Sequence, residues 1–184
     1  MTDKLYVNHS IIVNLDVDDA LTSRLLQVVQ AGFSTVEVNS SDSELLKNLV
    51  VQFSDTRIGA GNIISTQQLE DCYHAGVSFV TSPGFLPAIA QTAAVYSIDY
   101  IPGVATISEA MQAYAAGCEK VRPYPANLVF CASLCKTIPD LKLYPAEVEW
   151  DEAEHYLSLP SVKAISILNP QTEQLEALST ASDL

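Results

Sequence analysis

The sequence predicts a (β/α)₈ barrel of the TIM type, one α/β domain spanning residues 1–184. Three observations lead there. Short β-rich runs alternate with amphipathic stretches along the whole chain, eight strands fit that alternation, and hydrophobic residues make up 48 % against 17 % charged. A parallel sheet covered by helices on its outer side requires such an apolar balance. Eight units share 184 residues, or about 23 residues each, so the connections must be short for this fold. A doubly wound open sheet is the alternative arrangement of the same elements.

Ser10 to Val17 reads as the first strand, and Asp18 to Ala31, with Leu21, Leu25, Val28 and Val29 at helical spacing, reads as the helix on it. Thr35 to Asn39 is the second strand; its helix runs from about Asp42 to Phe53, with Leu45, Leu46, Leu49 and Val50 on one face. Further strands fall at Thr56 to Ala60, Ser78 to Thr81, Ser97 to Ile101, Cys118 to Pro123, Leu141 to Tyr144 and Val162 to Leu168. Ser65-Thr-Gln-Gln68 and Thr106-Ile-Ser-Glu109 each match the capping box that satisfies orphan amides at a helix start. Pro123, Pro125, Pro139, Pro145 and Pro160 stand where strands or helices should end, and no stretch reads as a linker.

The charge balance narrows the partners. Against 22 acidic residues there are only 9 Lys and Arg, a net charge of −13, which repels nucleic acid and anionic membranes. Neither is an expected partner. The start, Met1-Thr-Asp-Lys-Leu-Tyr6, lacks an apolar signal core, and no apolar run has the length of a membrane span. The expected location is the cytoplasm. Cys72, Cys118, Cys131 and Cys135 form no CxxC pair, and the i,i+4 spacing of the last two suits a helix face turned to the core. His9, His74 and His155 are dispersed, with no metal-ligand spacing. No metal and no cofactor are expected.

An internal repeat points at the site. Ala31-Gly-Phe-Ser-Thr-Val-Glu-Val38, Ala75-Gly-Val-Ser-Phe-Val-Thr-Ser82 and Ala116-Gly-Cys-Glu-Lys-Val-Arg-Pro123 align without gaps, at periods of 44 and 41 residues, about two β/α units. Each glycine closes a helix in a left-handed turn, and the following residues climb a strand. Glu37, Thr81 and Arg122 come five residues after the glycines, each behind a valine that should face the helices. Strand parity then points all three into the barrel, near the carboxyl ends where barrel chemistry resides. A Glu37–Arg122 ion pair plugging the barrel is compatible with the same placement.

The runs Ile58-Gly-Ala-Gly-Asn62, Ser82-Pro-Gly-Phe85, Ile101-Pro-Gly-Val-Ala-Thr-Ile-Ser-Glu109 and Arg122-Pro-Tyr-Pro-Ala126 resemble, in order and spacing, the 2-keto-3-deoxy-6-phosphogluconate (KDPG) aldolases and their 4-hydroxy-2-oxoglutarate (KHG) aldolase relatives. The resemblance extends over roughly Ser10 to Leu168. It implies a homotrimeric class I aldolase barrel of carbohydrate metabolism, in which a lysine forms an imine with pyruvate and a glutamate moves protons. The glutamate matches Glu37, and the lysine position is occupied by Arg122. The substrate surface implied by the matching turns comprises Asn39, Gly61, Asn62, Thr81, Pro83, Gly84, Pro102 and Gly103.

A guanidinium stays protonated and cannot be the amine nucleophile of an imine. Two further departures concern charge. The family's arginine four residues after the glutamate falls on Ser41, and its two glycine-rich phosphate loops read Pro145-Ala-Glu-Val148 and Ile167-Leu-Asn-Pro170. Without glycine amides, and with Glu147 nearby, these loops do not suit phosphate. The expected partner is a small non-phosphorylated 2-oxo acid such as pyruvate, held by Arg122 with Glu37 as acid or base. A non-catalytic subunit is the alternative. Lys120 shares the inward parity of Arg122 one strand step deeper, as a buried nucleophile, as a member of an ion pair or as an outward-kinked surface lysine.

Overall fold

The computed structural model describes residues 10–180, with Thr180 described by its backbone alone, so His9 and the Met1-to-Tyr6 start lie outside the described residues. Strands β1 (Ile11–Leu15), β2 (Thr35–Val38), β3 (Arg57–Ala60) and β4 (Phe79–Ser82) alternate with helices α1 (Leu21–Gln30), α2 (Ser43–Gln52), α3 (Thr66–Ala75) and α4 (Pro87–Tyr96). The second half repeats the scheme with β5 (Asp99–Val104), α5 (Ile107–Ala115), β6 (Lys120–Pro123), α6 (Leu128–Thr137), β7 (Lys142–Leu143), α7 (Ala153–Leu157), β8 (Ile165–Leu168) and α8 (Thr172–Thr180). All eight strands are parallel, in the order β7-β6-β5-β4-β3-β2-β1-β8. A parallel bridge from Leu143 to Val162 joins the two ends. Around it, Lys163 N donates to Leu143 O and Ser166 N to Pro145 O. The sheet therefore curls into a ring, as the alternation predicts, and not into an open doubly wound sheet.

The three Ala-Gly repeats form one structure. Gly32, Gly76 and Gly117 have φ of 93°, 86° and 90°, conformations a side chain would strain. In each, the glycine amide bonds the carbonyl three residues back and the next amide reaches five back, as in Gly32 N to Val29 O and Phe33 N to Val28 O. This is the Schellman closure, which satisfies the last carbonyls of the helix and aims the chain into the next strand. Ser97 closes α4 in the same way at φ 54°, with Ile98 N donating to Ala93 O. The sequence reading started the fifth strand at Ser97; it begins at Asp99 because Ser97 is still completing the helix. It also runs on through Pro102 and Gly103 to Val104.

The Thr106–Glu109 capping box is complete. At α3, Ser65 accepts from Gln68 N, but the Gln68 side chain reaches back to Ile64 N instead of the cap amide. Both devices start helices where the pattern placed them.

Strand residues of one parity, among them Val13, Val36, Ile58, Val80, Val121, Leu143 and Ile165, are buried against Leu25, Leu46, Leu69, Ile89 and Leu134 of the helices. The other parity fills the barrel. Ile12, Phe79, Ile101 and Ala164 form a small inner core with Tyr144 packed on it. Gly59 is required here, since a Cβ at that position would collide with the Phe79 ring. Among the described residues no helix is long and apolar enough to cross a membrane.

Candidate functional site

Above the inner apolar layer, at the carboxyl ends of the strands, lies a polar layer. Asn14 from β1, Glu37 from β2, Thr81 from β4 and Arg122 from β6 are 0 %, 1 %, 2 % and 8 % exposed. Three donors converge on one carboxylate oxygen: Asn14 Nδ2 at 3.0 Å, Thr81 Oγ1 at 2.9 Å and Arg122 Nη1 at 2.5 Å, all on Glu37 Oε1. Arg122 Nη1 also donates to Thr81 Oγ1 at 2.6 Å. The repeat thus brings its three residues into mutual contact. Its period of two units fits the barrel geometry, in which alternate strands supply one layer of side chains.

A charge removed from water this completely persists only when paired and hydrogen-bonded. Glu37 and Arg122 meet that condition for each other. The Arg122 guanidinium carbon also stands 5.8 Å from the Tyr124 ring centroid, a cation–π contact that helps orient its plane. Glu37 Oε2 and the other two guanidinium nitrogens take no bond from the described residues. The enclosed side-chain atoms lacking a partner among those residues are Asn14 Oδ1 and Arg24 Nε. Glu37 Oε2 and the free edge of Arg122 therefore reach solvent.

The other expected site residues fall into three groups. Gly61 is buried beneath the carboxylate, and a Cβ there would strike Asn39 Oδ1 and Glu37 Oε1. Gly103 is as constrained, since its Cβ would meet the Pro83 carbonyl; Pro102 beside it is buried, in register with Ser82. Pro83, Gly84 and Asn62 are exposed on the rim, Asn62 at φ 62°. Asn39, whose Oδ1 adjoins Gly61, also joins a second rim cluster. Its Nδ2 donates to Asp16 Oδ1 at 2.8 Å, while Asn169 Nδ2 donates to Asp16 Oδ2 and Arg24 Nη1 to Asn169 Oδ1.

Behind the β4 turn, the Tyr100 hydroxyl donates to Ser82 Oγ at 3.1 Å, and burial pushes Tyr100 up to about 12. It is a structural support at any ordinary pH.

Lys120 lies at the opposite end of the barrel. Its Nζ is 2.6 and 2.8 Å from the two oxygens of Asp99, which also holds Arg57 at 2.8 Å, and it stands over the Tyr144 ring. The ion-pair reading of Lys120 is the one the geometry bears out. Among the described residues no group of three or more His, Cys, Asp or Glu side chains gathers as a metal site would. His74 instead contacts Tyr73 and Tyr96 on the outer surface.

Asn14 escaped the sequence reading. Its signal is the single polar residue inside Ile11-Ile-Val-Asn-Leu15, which on strand parity belongs to the same inward set as Ile12. The turns after β7 and β8 each hold a left-handed residue, Glu147 at φ 56° and Asn169 at φ 44°. A non-glycine residue is disfavoured there by about 1 kcal/mol.

A family model described as KDPG and KHG aldolase matches residues 7–173. The 2-dehydro-3-deoxy-phosphogluconate aldolase of Pseudomonas aeruginosa is 30 % identical over 114 residues, 59 % of this chain and 52 % of that protein. The corresponding aldolase of Pseudoalteromonas atlantica is 27 % identical over 144 residues, covering 74 % and 67 %. The chain spans about half the length of the curated relatives it matches first, between 41 % and 52 %. Among solved structures, a KDPG aldolase of Legionella pneumophila with pyruvate captured as a covalent carbinolamine superposes with a TM-score of 0.80 at 22 % identity, covering 99 % of this chain and 97 % of that one. A Zymomonas mobilis 2-keto-3-deoxy-6-phosphogluconate aldolase with 3-phosphoglycerate gives 0.82 at 20 % identity, covering 96 % and 92 %. At these identities the superpositions establish a common fold.

Proposed function

This chain belongs to the KDPG and KHG aldolase family, and on that premise we propose that it holds a small non-phosphorylated 2-oxo acid such as pyruvate at the barrel mouth, without an imine at the family position. The observation that carries the reading is the contact of Arg122 Nη1 with Glu37 Oε1 at 2.5 Å. By resemblance Arg122 stands where the family has its lysine. Its guanidinium is not a nucleophile, but the planar fork suits a carboxylate, and the nitrogens left free by Glu37 and Thr81 are available for one.

In this reading Glu37 Oε2 is the atom that exchanges a proton with carbon 3 of the bound acid, while Arg122 holds the carboxylate. Ser41 and the exposed, negatively charged Glu147 argue against a phosphate at the other end of the ligand. Calorimetry with pyruvate and related 2-oxo acids tests it. Binding that disappears in Arg122→Ala supports the site, and no heat with any of the acids overturns it.

One observation favours a second reading, a non-catalytic subunit. Glu37 Oε1 already accepts three bonds, so the charges of Glu37 and Arg122 cancel without a ligand. A calorimetric blank across the panel is the outcome this reading expects. Homotrimeric assembly and a cytoplasmic location accompany either reading as family expectations, and sedimentation of the purified chain tests the first.

A further inference from the structure

The polar layer is lopsided in its remaining hydrogen-bonding capacity. On the donor side, the N–H groups of Arg122 other than those on Nη1 are unengaged among the described residues. On the acceptor side stand two oxygens without a donor among the described residues, Glu37 Oε2 and Asn14 Oδ1. Asn14 is 0 % exposed and its Oδ1 is enclosed without a partner. Its orientation is fixed by the bond from Nδ2 to Glu37 Oε1, which makes the oxygen, not the amide nitrogen, the free end. A buried acceptor left without a donor is a standing energetic cost, so the layer as a whole has more to gain from an added donor than from an added acceptor.

The ligand complementary to this layer has a carboxylate for Arg122 and a donor hydrogen close to it for Glu37 Oε2. Pyruvate brings only acceptors. Its 2-oxo oxygen would face the lone pairs of a carboxylate already held by three donors on its other oxygen. A 2-amino acid supplies both halves and, as a zwitterion, adds no net charge to a layer where Glu37 and Arg122 already cancel. A 2-hydroxy acid supplies the donor but adds a negative charge in a chain of net charge −13. We propose that the mouth of this barrel selects its small carboxylic acid by a donor on carbon 2, preferring the amino form to the hydroxy form and the hydroxy form to the oxo form. This rests on the reading above only in that Arg122 receives a carboxylate, and it departs from that reading in ranking the 2-oxo acid last.

L-Alanine, L-lactate and pyruvate are close in size and differ chiefly at carbon 2. Calorimetry of the full chain with each, at neutral pH and matched salt, is expected to rank them in that order. Alanine should exceed pyruvate by about tenfold or more, the worth of one hydrogen bond to a charged group. In Glu37→Gln the amide oxygen keeps the three donors and the amide nitrogen faces the ligand, so the ranking should reverse in favour of pyruvate. Pyruvate binding as tightly as alanine to the unaltered chain overturns the inference and leaves the carboxylate site standing. An unchanged ranking in a folded Glu37→Gln overturns it as well, and failure of all three acids to bind overturns both.

Discussion

Arg122 and Glu37, 85 positions apart in sequence, meet through Nη1 and Oε1 at 2.5 Å across the barrel interior, with side chains 9 % and 2 % exposed. Neither charge is tenable there alone. Each fixes the other's position, and Thr81 and Asn14 hold the carboxylate from two more strands.

Removing one partner should cost more than removing both. Arg122→Met leaves Glu37 buried without its counter-charge, and the expected loss is about 3–5 kcal/mol. The double variant Arg122→Met with Glu37→Gln should recover most of it, because no unpaired charge remains. Urea unfolding of the two variants and the unaltered chain measures the difference. A double variant no more stable than the single one would show that the pair does not carry the cost.

Borohydride trapping addresses the nucleophile directly. Pyruvate with borohydride should leave the mass of the unaltered chain unchanged, since Arg122 forms no imine and Lys120 is held by Asp99. Arg122→Lys places an amine beside Glu37, and an adduct confined to position 122 is the expected gain, located by peptide mass mapping. An adduct on Lys120 in the unaltered chain would contradict the ion-pair assignment.

The glycines at and below the mouth should separate by what surrounds them. Gly59→Ala drives a methyl into the Phe79 ring and should destabilise by roughly 1–3 kcal/mol through overpacking. Gly61→Ala displaces Glu37 and Asn39, so ligand binding should fall further than stability does. A Cβ at Gly84 meets nothing within 4 Å, and Gly84→Ala should be neutral or slightly stabilising. Thermal melts paired with calorimetry distinguish the three.

The buried thiols give an alkaline signature. Burial pushes Cys72 and Cys131 from the ordinary 9.0 up to about 12, so both stay protonated in the folded state at pH 8. Alkylation at that pH should spare them until the chain is unfolded. A folded state that holds these protons above the pH at which the unfolded chain releases them loses stability as pH rises. The contribution is intact below about 9 and declines between 9 and 12. Urea midpoints that stay level across that interval would contradict it.

The strand and helix alternation, the helix-closing glycines and the inward parity of Glu37, Thr81 and Arg122 were legible in the sequence. Each depends on interactions within a few residues, or on a period of two, that the chain repeats in its own spelling. The start of β5 was misplaced because Ser97 adopts a left-handed closure usually given to glycine. The bond from Asn39 Nδ2 to Asp16 on the rim was not legible in the sequence.

What only the tertiary structure decided is which groups touch. Curling the sheet until β7 approaches β8 brings β1, β2, β4 and β6 around one point, and no local pattern encodes those distances. Hence the sequence could name Glu37 and Arg122 as candidates, and allow that they pair, but not say that Arg122 and Thr81 converge on one oxygen of Glu37, that Asn14 joins them, or that Lys120 is claimed by Asp99 at the far end. The feature on which ligand selection is proposed to turn, an acceptor without a donor, exists only once every neighbour is in place.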